Sequence, residues 1–278
     1  MPLTDSFAAE PSGAGEGTSI VEPFLSSGYA ICDVADRDAL DEMRHEIVAA
    51  AARALDMAPP NDDGAFLDTI HGLVPLERLN AFRLGLYREI NAQPWFRPTY
   101  FRLGRAALEV LVGNELAMQN RINFSIQVPR DRSSLLDIHA DVFTGETPYQ
   151  LVQWLPLVDV ERTKSMFFLP RPKSEAITAR LADFTEGGMR SVFAAVEPDL
   201  VWPRVPYGKM LVFSPNFLHG NVVNREATTR WSLNCRFTGL FTPYGSPEKS
   251  LGSFYLPITV RPVTRLGMAY RRQDGFRE

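Results

Sequence analysis

After Asn114 the chain changes texture, and that change limits its architecture more than any other feature. From there on it is a series of short runs rich in β-branched and aromatic residues: "RINFSIQVP", "YQLVQWLPLVD", "SMFFLP", "DLVWPRV", "KMLVF", "TRWSLNCRFTGLF" and "SFYLPITVRPV". Each is bounded by Pro, Gly or Asp, so each reads as a strand. One helix, near 174–184 in "SEAITARLADF", and a weaker one in "GMRSVFAAVEPD" interrupt them. Before Asn114 the chain reads differently. Residues 36–57, "DRDALDEMRHEIVAAAARALDM", open on an aspartate able to cap a helix and repeat Leu40, Met43, Ile47 and Val48 at helical spacing. Residues 66–113 continue in the same manner, broken near Pro94 and Pro98. Helices followed by many antiparallel-type strands predict a mainly β protein: a double-sheet jelly roll with a helical first third packed outside it.

Composition bounds the alternatives. The 278 residues are 45% hydrophobic and 22% charged, enough for one full core, while 21 prolines argue against a helical bundle. A net charge of -4 supplies no broad basic field for nucleic acid or an anionic membrane, so an anionic ligand has to be met by local arginines. Cys32 and Cys235 are too few for a disulfide framework and read as reduced thiols. No apolar run approaches a membrane span, and the acidic start of "MPLTDSFAAEPSGAGEGTS" is unlike a signal peptide, so a cytoplasmic protein is expected. The expected organisation is a flexible tail over 1–20 and a single domain over 21–278. Within that domain the helical part covers about 21–113, the jelly-roll core about 114–245 and a C-terminal extension 246–278.

Two strands carry more than propensity. In "RINFSIQV", Ile122, Phe124, Ile126 and Val128 share one face and Asn123, Ser125 and Gln127 the other. In "TRWSLNCRF", Trp231, Leu233, Cys235 and Phe237 oppose Arg230, Ser232, Asn234 and Arg236. Each polar face meets either water or a cavity inside the sandwich, and alternation alone does not decide.

The chain has four histidines, and one stands two places before an aspartate, in His139-x-Asp141. Two residues at i and i+2 of a strand project to the same side. The only later histidine, His219, lies in "KMLVFSPNFLHGNVVN", a strand, a Pro-containing turn and a second strand. Two imidazoles and a carboxylate on rigid β-structure can cap one face of an octahedral iron(II) and leave positions open. A lone His-x-Asp is common by chance, and a buried histidine satisfied by hydrogen bonds is the usual alternative. Eleven residues beyond His219, far enough to cross a turn and return on the adjacent strand, stands Arg230, with Ser232 on the same face. A guanidinium and a hydroxyl at the end of a polar pocket suit a carboxylate, although strand arginines more often serve as surface charges.

The ordered set His139-x-Asp141, His219 and Arg230-x-Ser232 resembles the iron(II)- and 2-oxoglutarate-dependent dioxygenases of the phytanoyl-CoA dioxygenase superfamily, over about residues 123–244. The texture of "HADVFTGETPYQLVQWLPLVDVERTKSMFFLP" and "HGNVVNREATTRWSLNCRFTGLFTPYG" is most similar to the branch found in carbohydrate-biosynthesis clusters. The resemblance implies a double-stranded β-helix, iron(II) on His139, Asp141 and His219, and 2-oxoglutarate and O2 as co-substrates. It also implies Arg230 and Ser232 on the far carboxylate of 2-oxoglutarate, with Gln127, and more weakly Asn123, near the other. The expected activity is hydroxylation of an unactivated C–H in a small polar substrate such as a sugar or sugar derivative. Lys164, Arg236, Tyr149 and Arg132 are candidate substrate contacts. The alternative is a cupin-like metal-binding isomerase or ligand-binding protein that uses the triad without 2-oxoglutarate.

Overall fold

A computed structural model describes residues 19–184, 186–271 and 275. The tail expected over 1–20 therefore lies almost wholly outside the described residues. After a short helix α1 (Val21–Ser27) and an edge strand β1 (Tyr29–Asp33), four helices follow: α2 (Arg37–Ala54), α3 (Asp63–Thr69), α4 (Leu76–Ala92) and α5 (Phe96–Leu111). The remaining elements are β2 (Leu116–Gln119), β3 (Asn123–Gln127), β4 (Gln150–Pro156), β5 (Phe167–Phe168), α6 (Arg171–Thr178), α7 (Gly188–Val196), β6 (Lys209–Phe213), β7 (His219–Gly220), β8 (Arg230–Gly239), β9 (Tyr255–Thr259) and α8 (Pro262–Ala269).

Helix α2 starts as its sequence dictates. The Asp36 carboxylate accepts from the Ala39 N–H at 2.9 Å, and Leu40, Met43, Ile47 and Val48 are all buried. Helix α5 is the other strongly amphipathic helix and buries Phe96, Tyr100, Leu103 and Leu108. It lies close on β4, where the Tyr100 hydroxyl donates to the Gln153 carbonyl at 2.6 Å and the Gln153 amide donates back to the Tyr100 carbonyl at 3.0 Å. Gly104 permits this approach: a Cβ there would stand 2.0 Å from Gln153 Oε1. Gly104→Ala is therefore expected to lower stability by about 1–3 kcal/mol in urea unfolding, despite the ~1 kcal/mol that alanine gains in a helix.

The main sheet runs β1-β6-β4-β8-β2-β9, with β3 paired to β8 beside this path, and all its pairings are antiparallel. One face of this sheet meets the helices. Trp231, Leu233, Cys235 and Phe237 are buried there in one core with Leu40, Ile47, Tyr100 and Leu103. Its other face looks toward the two-stranded sheet β5-β7 and the segment around His139.

Two strand expectations are corrected. "DLVWPRV" forms only isolated bridges, Phe168–Val201 and Val160–Val205, since Pro203 and Pro206 interrupt its ladder donors. Arg230 does not return on a strand adjacent to His219: β7 pairs with β5, whereas β8 belongs to the main sheet. The intervening loop crosses between sheets, so the two residues face each other across a cavity. Among the described residues no helix is long and apolar enough to cross a membrane.

Candidate metal centre and anion site

The cavity between the two sheets has a volume of about 430 Å³. The polar residues of β8 line it together: Arg230, Ser232, Asn234 and Arg236. Ser125 of β3, directly opposite Ser232 in the ladder, lines it too, as do Val152 and Trp154 of β4 and Phe213 of β6. Of the two fates open to the polar face of β8, facing a cavity is the one realised.

His139, Asp141 and His219 close the opposite side, and their ligand atoms lie within 4.8 Å of one another. The backbone explains this convergence. His139 and His219 are direct antiparallel partners, each N–H donating to the other's carbonyl at 2.9 Å, so both imidazoles leave the pair on one face with ring centroids 4.5 Å apart. Gly220 makes room for the pairing, because a Cβ there would stand 2.8 Å from the Leu136 carbonyl oxygen and the Phe167 ring. Asp141 departs from the strand geometry that the i, i+2 spacing suggests. It begins a 3-10 turn, Asp141–Thr144, and its carboxylate is brought back toward the imidazoles by that turn rather than by pleat.

The hydrogen bonds fix which nitrogens are free. His139 Nδ1 lies 2.7 Å from the Asp137 carbonyl and His219 Nδ1 lies 2.8 Å from the Phe217 carbonyl. A carbonyl only accepts, so each Nδ1 carries the proton and each Nε2 presents a lone pair. These Nε2 atoms stand 3.4 and 3.8 Å from the same oxygen, Asp141 Oδ1. Neighbouring ligands on an ion with bonds of ~2.1 Å sit about 3 Å apart, so the three donors fit one metal after a small inward movement. The His219 ring is held by stacking on Phe168 and by the edge of Phe213.

Electrostatics favour that state at His219 and Asp141, while at His139 a metal has a proton to displace. Burial pushes His219 down to about 4, against the pull of Asp141, so this imidazole is neutral at ordinary pH. Burial also opposes charge on His139, but hydrogen bonds to Asp141 and the Asp137 carbonyl outweigh it and raise its pKa. Burial would raise Asp141 as well, yet His139, His219 and Arg236 together hold it far below the usual carboxylate range. Two neutral nitrogens and an ionised carboxylate make a donor set suited to iron(II), with a face left open.

At the other end of the cavity is a buried cation without a counter-ion. Arg230 is only 4% exposed, its Nε has no partner, and its one contact is a long 3.5 Å bond to Ser125 Oγ. No carboxylate among the described residues pairs with it, and Ser232 Oγ beside it is also unpartnered. Burial, helped by nearby Arg83, pushes the guanidinium down to about 10. Such an arrangement is costly unless an anion completes it.

The remaining candidates from the sequence fall elsewhere. Gln127 is fully buried outside the cavity lining, its amide donating to the Val222 carbonyl at 2.6 Å. Asn123 donates to Asn234 Oδ1 at 2.8 Å and so orients a lining residue rather than lining the cavity itself. Lys164 is buried against Asp68 and Thr228 at 2.7 Å each, bracing a loop away from the cavity. Arg132 is exposed and outside the lining. Tyr149 is 58% exposed and faces a different groove. Arg236 does line the cavity, but its guanidinium is engaged with the metal-site carboxylate, both Nε (3.1 Å) and a terminal nitrogen (2.7 Å) donating to Asp141 Oδ2. The alternation of β8 places Arg236 on the correct face, and no local pattern announces its partner. Ser125, Thr144, Asn221 and Asn234 are lining residues that motif reasoning did not single out as contacts.

No family model matches the chain, and no curated protein matches it. Among solved structures, the non-heme monooxygenase ThoJ as a nickel complex is similar, with TM-score 0.56 and 16% identity over 88% of this chain and 86% of that one. AviO1 from Streptomyces viridochromogenes Tue57 has TM-score 0.51 and 17% identity over 82% of this chain and 96% of that one. EctD from S. alaskensis in its apoform has TM-score 0.50 and 15% identity over 81% and 77%. The chain shares their fold. At such identities the likeness speaks for architecture, and the chemistry rests on the residues of the cavity.

Proposed function

We infer that this protein is a non-haem iron(II)- and 2-oxoglutarate-dependent oxygenase built on a double-stranded β-helix, which hydroxylates an unactivated C–H of a small polar substrate. A sugar or sugar derivative is the substrate class we favour, on the sequence resemblance. The observation that carries the reading is the unpaired, buried Arg230 in the same cavity as His139, Asp141 and His219. A metal site alone does not require that cation. A metal site shared with a short diacid does: with one end of 2-oxoglutarate at the metal, the Arg230 fork and the Ser232 hydroxyl would hold the far carboxylate.

Bound iron would supply the oxygen chemistry, coupling oxidative decarboxylation of 2-oxoglutarate to substrate oxidation. This chain's residues position the reactants. His139 and His219 offer oriented lone pairs, Asp141 supplies charge, and Arg230 with Ser232 fixes the co-substrate's far end. Trp154, Val152, Met166 and Phe213 give the cavity apolar walls that limit water. No side chain here is assigned as a general base. The fold-mate ThoJ, a non-heme monooxygenase captured with nickel, supports a metal centre in this architecture. The cupin-like alternative, a metal isomerase without a co-substrate, leaves Arg230 and Ser232 unexplained.

The test is oxygen-dependent formation of succinate from 2-oxoglutarate by protein loaded anaerobically with iron(II), with and without panels of sugars, sugar phosphates and sugar nucleotides. Turnover stimulated by one class supports both the activity and the substrate class. Absence of turnover together with absence of 2-oxoglutarate binding would replace this reading with the cupin-like one.

A further inference from the structure

A second, smaller cleft of about 210 Å³ opens directly beside the metal cavity, and Leu135, Asp137 and Asn221 line both spaces. Beyond these shared residues its character changes. Ile138, Met189, Phe193, Val222 and Val223 form its walls, with Arg190 at its rim. The apolar wall comes from α7: Met189 and Phe193 are one helical turn apart on the cleft side, while Val192 and Val196 bury into the small core around Phe167. Phe193 is braced edge-on against Phe167 at 5.5 Å, and the Val222 carbonyl is held by Gln127. These walls are fixed in place, yet Met189, Phe193, Val222 and Val223 remain only partly buried.

The junction between the two spaces is polar, with one free acceptor. The Asn221 side chain is occupied, accepting from the Leu136 N–H at 2.6 Å and donating to the Ser134 carbonyl. The Asp137 carboxylate is exposed and has no hydrogen-bond or ion-pair partner among the described residues. A molecule reaching from the metal into the cleft would therefore pass a carboxylate asking for a hydrogen-bond donor and then enter an apolar pocket. A cavity on the order of 150 Å³ lined by aliphatic and aromatic side chains holds one benzene ring, so the cleft has room for a ring or a short branched chain.

We propose that the cleft between α7 and residues 221–223 is the subsite for an apolar, ring-sized part of the substrate, and that the substrate is amphiphilic: a hydroxyl-bearing part beside Asp137 and the metal, and an apolar appendage in the cleft. The position of the reacting part rests on the oxygenase reading; the cleft and its chemistry do not. Continuity with the metal cavity is what assigns the occupant. A bare monosaccharide would leave the apolar walls wet and gain nothing from them.

The experiment uses the full chain loaded with zinc as a diamagnetic stand-in, with and without 2-oxoglutarate, and with methionine methyl groups labelled for NMR. Met189 reports on the cleft and Met166 on the metal cavity. Phenyl β-glucoside is expected to shift both methyl signals saturably, with affinity at least about tenfold above methyl β-glucoside, the gain from burying a ring. Benzyl alcohol is expected to move Met189 alone. Val223→Lys, at a half-buried position on the cleft wall, is expected to abolish the Met189 response while calorimetry shows 2-oxoglutarate binding unchanged; Val222→Lys, at a neighbouring half-buried position that lines the cleft and not the metal cavity, serves if that variant does not fold. A silent Met189, equal affinities for the two glucosides, or a response surviving the lysine would overturn the proposal. So would a Met189 shift that follows protein concentration together with a dimer mass, which would give the cleft to a second copy of the chain. If Met189 responds while 2-oxoglutarate fails to bind, the subsite stands and the co-substrate assignment falls.

Discussion

Arg230→Met is expected to weaken 2-oxoglutarate binding by roughly 30-fold to 4000-fold, the ~2–5 kcal/mol typical of removing one partner of a buried charged pair. Iron(II) affinity should change little, because Arg230 makes no contact with His139, Asp141 or His219 and is tied only loosely to Ser125. The two effects separate cleanly in anaerobic calorimetry, with metal titrated first and co-substrate second. Arg230→Lys keeps the charge and loses the planar fork, so it should recover only part of the loss. Ser232→Ala removes a single hydroxyl and should cost about 2-fold to 10-fold. Methionine at 230 is also expected to leave the fold at least as stable as the parent when no ligand is present. It removes a buried, unpaired cation from a site where burial already drives the guanidinium toward its neutral form. Co-substrate affinity that survives Arg230→Met would overturn the anion assignment and restore the isomerase alternative.

Much of this site was legible because its geometry is periodic. Alternation in β8 sends Arg230, Ser232, Asn234 and Arg236 into one cavity and Trp231, Leu233, Cys235 and Phe237 into the core, and a two-residue period is visible in nine letters of sequence. The helices around Leu40, Met43 and Ile47 were legible for the same reason. What escaped depends on pairings distant in sequence. β1 lies in the part that reads as helical and β2 is absent from the expected strand runs, and both show as strands only once their partners β6, β8 and β9 are known. Spacing alone puts Arg230 on the strand beside His219, and only the sheet topology shows that the loop between them changes sheets. The aromatic and cationic residues near the motif were ambiguous for a different reason. Lys164, Tyr149 and Arg236 look alike from spacing, while their fates are a loop brace, an outward-facing ring and a hold on a metal ligand.

That last hold carries the second large effect. Arg236 donates twice to Asp141 Oδ2, leaving Oδ1, the oxygen near both imidazoles, as the one that would meet a metal. Behind Arg236 stands Glu146, 3.7 Å away and itself fixed by Lys249 at 2.8 Å and the Tyr255 hydroxyl at 2.9 Å. The carboxylate is thus oriented through a chain of buried and partly buried charges, and Arg236 acts as a positioning residue. Arg236→Leu should weaken iron(II) binding by about 10-fold to 100-fold, the usual cost of losing a partner that orients a metal ligand. Its pH profile distinguishes this role from general damage. In the parent protein Asp141 stays ionised across the whole working range, and His219, at about 4, holds no second proton at neutral pH, so its Nε2 is free. Only His139, raised above the ordinary imidazole value, competes for protons there. Below the His139 pKa, affinity should fall about tenfold per pH unit, with one proton released per metal bound; a second proton enters only near pH 4. In Arg236→Leu only His139 and His219 remain to offset burial, so Asp141 titrates at a higher pH than in the parent and the second competing proton enters at a higher pH. A variant that lost affinity by the same factor at every pH would show that Arg236 supports the fold around the site and does not set the charge of its carboxylate.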